Sequence, residues 1–139
     1  MKIVGVGSEV VECLRVARMI ERHGEQFIHR VFTPNEVKRC NHSLHATQQF
    51  AARWAAKEAV LRALGVRSRA GFDFRNIEIR RNKAGRFIAA FRGAARDIVE
   101  QLNVGELFIS IAHCRSVATA QAVAVSRPRK RRKPKSDDV

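Results

Sequence analysis

Two carboxylates stand out in a basic chain. Glu9 lies in GVGSEVVE, where a short apolar run gives way to a helix, and Glu58 lies in the alanine-rich stretch QQFAARWAAKEAVLRAL. Lys57 and Arg62 flank Glu58, and His113 closes the apolar run LFISIAH. Acids, cations and an imidazole are the groups from which charge stabilisation and proton transfer are assembled. Each also has an ordinary structural reading. Glu9 suits the first turn of a helix, where the dipole favours acid. Glu58 and Arg62, four residues apart, suit a solvated ion pair. His113 suits a partly buried strand end. Other catalytic patterns fail. Gly5-Val6-Gly7 lacks the third glycine of G-x-G-x-x-G, which Val10 replaces, and there is no Walker A lysine, H-E-x-x-H or G-x-S-x-G.

The elements that must position these groups follow from periodicity. Lys2 to Val6 is short, β-branched and bounded by Gly5 and Gly7, which predicts a strand ending in a tight turn. Val10 to about His23 has helical spacing with Arg15, Arg18 and Arg22 on a basic side, and Gly24 stops it. Thr33-Pro34-Asn35-Glu36 supplies an N-cap, a proline at the first helical position and a capping-box acid, predicting a short helix to Asn41. Gln48 to Leu64 has the highest helix propensity and stops at Gly65, with Phe50, Trp54 and Leu61 as a buried line. Ile77–Ile79 and Phe87–Phe91 flank Asn82-Lys83-Ala84-Gly85 as a hairpin, Gly93–Leu102 reads as a helix, and Leu107–Ala112 and Val117–Val125 read as strands. The sum is an α+β domain with a mainly antiparallel sheet and packed helices.

The length of 139 residues predicts a single domain, residues 1–126, followed by a basic disordered tail, 127–139. The net charge is +14, and seven basic and two acidic residues fall in that tail, so the body keeps +9. Acidic partners are therefore expected: phosphates, nucleic acid or an acidic protein. Cys13, Cys40 and Cys114 are odd in number and far apart, without zinc-site spacing, which predicts a reducing, cytoplasmic setting. No apolar stretch approaches membrane-spanning length, so a soluble protein is expected.

Gly5-Val6-Gly7-Ser8-Glu9-Val10-Val11-Glu12, with Arg15 after it, resembles the G-x-G-x-D-I-V-E opening of the holo-[acyl-carrier-protein] synthases, the short 4′-phosphopantetheinyl transferases. Phe50-Ala51-Ala52-Arg53-Trp54-Ala55-Ala56-Lys57-Glu58-Ala59 is similar to their central F-A-x-R-[FW]-A-A-K-E-A pattern. RVFTPNE, Ile77-Glu78-Ile79 with Gly85, and ISIAH follow family positions in order, so the resemblance covers Met1 to about Val125. It implies a phosphopantetheinyl transferase-like fold in a homotrimer, with the active site between neighbouring subunits. It implies transfer of 4′-phosphopantetheine from coenzyme A to a serine of apo acyl carrier protein, in fatty-acid or polyketide synthesis. The resemblance makes Glu9 and Glu58 ligands of Mg²⁺, an ion that takes oxygen ligands from one or two carboxylates plus substrate phosphate. It puts Glu58, His113 and Lys57 in the catalytic set, and Arg53, Lys57, Arg62, Gly65, Arg67 and His113 around coenzyme A. Arg15, Arg18 and Arg22 would face the acidic carrier.

The chain departs from the family pattern at four positions. Glu9 replaces aspartate, Arg62 a lysine, Arg67 a glycine, and Cys114 an acid or hydroxyl residue. Glu9 and Arg67 motivate an alternative, a scaffold with weakened catalysis that binds coenzyme A or an acidic partner. The tail RPRKRRKPK motivates a second, salt-sensitive nucleic-acid binding, although the body carries no recognised reading motif.

Overall fold

Glycine and alanine decide how closely the central helix can approach the sheet. The computed structural model describes residues 1–128, and the expectation for the basic tail falls largely outside them. The order is β1 (Ile3–Glu12), α1 (Cys13–His23), α2 (Glu25–Val31), α3 (Pro34–Asn41), α4 (Ala46–Ala63), a 3₁₀ turn (Phe74–Asn76), β2 (Ile77–Arg81), β3 (Phe87–Phe91), α5 (Gly93–Gln101), β4 (Val104–His113) and β5 (Val117–Ser126). β1, β5 and β4 form an antiparallel sheet in that order, and β2 and β3 form a hairpin beside β4. The α+β class and the antiparallel sheet are as expected.

β5 turns Ala118, Ala120, Ala122 and Ala124 inward, all fully buried, against the alanines of α4. Small side chains on both partners let the helix lie low on the sheet, and α1 to α3 cover its other side. α4 is therefore buried nearly all round, with Phe50, Ala51, Ala55, Ala56, Ala59, Val60 and Leu61 in the core. Trp54 is the exception to the expected buried line. It is half-buried, packed on Phe27 at 5.3 Å with the Arg15 guanidinium over its ring.

The two glycines of the opening motif serve this crossing. A Cβ on Gly7 would fall 2.0 Å from the Ala59 carbonyl oxygen, and one on Gly5 would fall 1.9 Å from that of Ala63. Both obstacles are backbone and cannot swing aside. Gly7→Ala is expected to cost about 3 kcal/mol in urea unfolding, at the upper end of overpacking effects. Gly85→Ala, at φ 80° with open space around it, should cost only about 1–2 kcal/mol from left-handed strain.

Two expectations need correction. The first strand does not end at Val6: it continues through Glu12, because Gly5 to Glu12 pairs in unbroken register with Ala124 to Val117 of β5. The helix starts three residues later than expected, at Cys13, so Glu9 sits inside a strand rather than in a first helical turn. α2 was not expected at all. Its seven residues anchor through Phe27 and Val31, and so short an amphipathic segment carries little periodicity. Thr33 caps α3 with both halves of the expected capping box in place.

Candidate active site

Strand geometry brings Glu9 to α4. Successive side chains alternate across a strand, so Gly5, Gly7 and Glu9 share the face that crosses the helix. Gly7 lies against Ala59, Arg62 and Ala63, and Glu9, two residues on, accepts a hydrogen bond from Arg62 Nη2 at 3.0 Å. Glu58 stands one turn before Arg62 on the same helix. Its Oε2 accepts from Arg69 Nε at 2.9 Å, and Arg69 Nη1 also donates to the Val66 carbonyl. The expected Glu58–Arg62 pair is thus replaced by two longer-range pairs. Each arginine reaches an acid that tertiary contact has brought near it. The two carboxylates keep 22% and 17% of their side-chain surface, enough to meet a ligand from solvent.

This donor set fits a hard divalent cation. Glu9, which meets α4 at Arg62, and Glu58, one turn earlier on that helix, can supply carboxylate oxygen, and among the described residues no three His, Cys, Asp or Glu groups converge into a closed metal cage. Such a pair suits Mg²⁺, which keeps waters and shares its sphere with phosphate. It does not suit structural zinc.

Lys57 is elsewhere. Although next to Glu58 in sequence, it points to the interior, with 0% of its side chain exposed and its partner Glu36 at 1%. Nζ donates to Glu36 Oε1 at 2.6 Å, to the Val31 carbonyl at 2.7 Å and to the Phe74 carbonyl at 3.1 Å. All three ammonium hydrogens are engaged, so the catalytic and coenzyme-binding expectation for Lys57 does not match its place. Burial pushes its pKa down, opposed by the charge and hydrogen bond of Glu36. Glu36 also accepts from Thr33 N at 2.9 Å and from Ile79 N at 3.0 Å, joining α3, α4 and β2 at one carboxylate. Its capping role was legible in TPNE; its bond to Lys57 was not.

Arg53 is also separated from the acids, roughly 140° around α4 from Glu58 at about 100° per residue. It is buried, donates from Nη1 to Gln49 Oε1 at 2.8 Å, and keeps Nε without a partner among the described residues. It lines a basic cleft of about 440 Å³ with Lys38, Arg39, His42, Arg80 and Arg81. Gly65, at φ 74°, and Arg67 are exposed just beyond α4, close in sequence to Arg62. His113 is exposed at the end of β4, in a shallow depression with His45, Gln48, Cys114 and Arg115. Two strand spacings, roughly 10 Å, separate β4 from β1, so one chain does not bring His113 to Glu9. Arg15, Arg18 and Arg22 are exposed together on α1, in a groove with Leu14 and Met19. Sequence reasoning missed Arg69 altogether, since nothing in GVRSRAG marks one of its two arginines as the partner of Glu58.

A family model described as the 4′-phosphopantetheinyl transferase superfamily matches residues 5–124 of this fold. A holo-[acyl-carrier-protein] synthase of Rhodopirellula baltica is 41% identical over 123 residues, covering 88% of this chain and 98% of that protein. The crystal structure of such a synthase from Neisseria meningitidis superposes with a TM-score of 0.82 at 27% identity, covering 90% of this chain and 100% of that one. An ACPS–CoA complex from Chronobacterium ammoniagenes superposes at 0.79, also at 27% identity, over 92% and 100% of the two chains. The chain therefore belongs to the 4′-phosphopantetheinyl transferase superfamily and, within it, to the holo-[acyl-carrier-protein] synthases. Among the described residues no helix is long and apolar enough to cross a membrane.

Proposed function

We propose that the chain transfers 4′-phosphopantetheine from coenzyme A to a serine hydroxyl of an apo acyl carrier protein of fatty-acid or polyketide synthesis. The observation that carries this reading is the meeting of strand-borne Glu9 with Arg62 of α4, one turn along the helix from Glu58, beside the glycine crossing. The coenzyme-bound relative supports coenzyme A as donor. Glu9 and Glu58 would hold Mg²⁺. When bound, that ion neutralises charge developing on the leaving 3′,5′-ADP. Glu9 reaches farther than aspartate by one methylene, and β1 presents it on the face turned to α4, where its carboxylate already meets a cation.

The chain's own groups do the rest by positioning. Arg62 and Arg67 bind phosphate, Arg62 with a fork that suits two oxygens. Gly65 leaves room for the phosphate chain to approach the end of α4. Arg53 binds coenzyme A from its basic cleft. His113 enters from a neighbouring copy, at the coenzyme site or as acceptor of the serine proton. We assign Lys57 the role of fixing α4 through Glu36, which holds Glu58 in place without touching substrate.

A homotrimer would supply that neighbouring His113. Its support is the outer face of the sheet, where Val6 is 62%, Val10 61% and Phe108 47% exposed, too much apolar strand surface for water alone. The mass in solution by light scattering tests the assembly.

The test of function is the intact mass of an apo carrier incubated with the full chain, coenzyme A and Mg²⁺. A gain of one phosphopantetheine, abolished by chelator, supports the reading. No gain on several carriers, with coenzyme A still bound, would shift it to the weakened scaffold. Carrier docking is checked separately on α1. Arg18→Glu together with Arg22→Glu is expected to raise KM for the carrier about tenfold, with kcat little changed and with most of the difference lost at high salt.

A further inference from the structure

The two acids assigned to the metal are each held by an arginine of the same chain. Arg69 Nε bonds Glu58 Oε2 at 2.9 Å, and Arg62 Nη2 bonds Glu9 Oε2 at 3.0 Å. Each guanidinium takes one oxygen of its carboxylate and leaves other lone pairs open, but its positive charge offsets the acid's and repels a second cation held on the same group. Cation and guanidinium therefore compete through charge. We infer that Arg69 is a counter-ion gate on Glu58, which couples cation binding to the arrival of a diphosphate that takes the displaced guanidinium.

Three features support the gate. Arg69 sits in the segment GVRSRAG, bounded by Gly65 at φ 74° and Gly71 at φ 71°, neither of which has a heavy atom within 4 Å of a built Cβ. The segment is thus joined to α4 and to the 3₁₀ turn by two residues with wide backbone freedom and open space. Second, Arg69 is tied to its place by polar contacts: besides Glu58, its Nη1 donates to Val66 O and its carbonyl accepts from Phe72 N at 3.1 Å. Third, a quarter of its side chain remains in water, so leaving Glu58 does not require breaking the core.

A planar guanidinium binds a phosphate as readily as a carboxylate, with two parallel hydrogen bonds. Released from Glu58, Arg69 finds its replacement partner in the same ligand that completes the cation's oxygen set. Each ligand then removes an obstacle to the other. By linkage the factor by which coenzyme A tightens cation binding equals the factor by which the cation tightens coenzyme A. The inference rests on Glu9 and Glu58 being the cation site. Its specific content is that Arg69 sets the strength of the coupling.

The probe is Mn²⁺, followed by the paramagnetic resonance signal of the free ion, titrated into the full chain with and without coenzyme A. For the unmodified chain, coenzyme A is expected to tighten Mn²⁺ binding by more than about tenfold, within the usual range of coupling between sites. Arg69→Gln should bind Mn²⁺ alone about tenfold more tightly than the unmodified chain, and coenzyme A should then add correspondingly less. Arg69→Lys, a cation without the fork, should fall between them. Each variant is first shown to keep its circular dichroism and melting point. Equal Mn²⁺ affinity for Arg69→Gln and the unmodified chain would overturn the gate and leave Arg69 a loop tether. Loss of Mn²⁺ binding in Glu58→Gln separates this from the underlying reading: if that variant binds Mn²⁺ normally, the acid site itself is misplaced and the gate falls with it.

Discussion

Glu58→Gln is expected to lower kcat/KM for carrier modification by at least about 100-fold without changing the fold. Substitution of groups one shell removed from a metal typically costs 10–100-fold, and a direct ligand should not cost less. At 1.36 kcal/mol per decade, that is about 2.7 kcal/mol of lost transition-state stabilisation. Glutamine keeps the shape of the side chain and an oxygen that can accept from Arg69 Nε, so the segment around Arg69 keeps its tether. What changes is charge. The expected loss therefore appears in kcat at saturating coenzyme A, together with a requirement for much higher Mg²⁺, and thermal melting should stay within a few degrees. A variant that loses less than threefold in kcat/KM at any Mg²⁺ concentration would remove Glu58 from the chemistry.

The largest effect on stability belongs to Glu36→Ala. The ammonium of Lys57 is fully enclosed, and Glu36 is its only anionic partner in contact, at 2.6 Å among the described residues. Removing one member of a buried pair leaves an uncompensated charge and typically costs 3–5 kcal/mol. Here the carboxylate also accepts from Thr33 N and Ile79 N, so two buried amides lose their partner at the same time. The expected cost of about 5 kcal/mol is a large part of the 5–15 kcal/mol that holds a typical domain together. It corresponds to a fall of roughly 15 °C in melting temperature, by the usual scaling for a chain of this size. Glu36→Leu combined with Lys57→Met should recover only part of the loss. The charge is then gone, yet the carbonyls of Val31 and Phe74 and the amides of Thr33 and Ile79 remain without the partners they had. Full recovery in urea unfolding would show the hub to be dispensable and would undercut the role assigned to Lys57.

The helices α3 and α4 and the β2–β3 hairpin are legible in the amino-acid order because their signals are local. A capping box, a run of alanines ended by Gly65, and Asn82 to Gly85 between two apolar strands each act over a few residues. The two acids are legible as well, through the motifs around them. Tertiary structure alone decided where those acids point and what they meet. Gly5-Val6-Gly7 reads locally as a turn; pairing with β5 made it the middle of a strand, since the ladder supplies partners across the chain that no short window contains. The same pairing moved Glu9 from a helix end to a strand face against α4. Lys57 and Glu58 are neighbours in sequence but about 100° apart on a helix, so one entered a buried ion pair and the other stayed at the surface. Arg69 joined Glu58 only because the chain turns back after Gly65. Local propensity acts between residues a few positions apart, whereas the partners of a charge are chosen by which distant segments the core brings together.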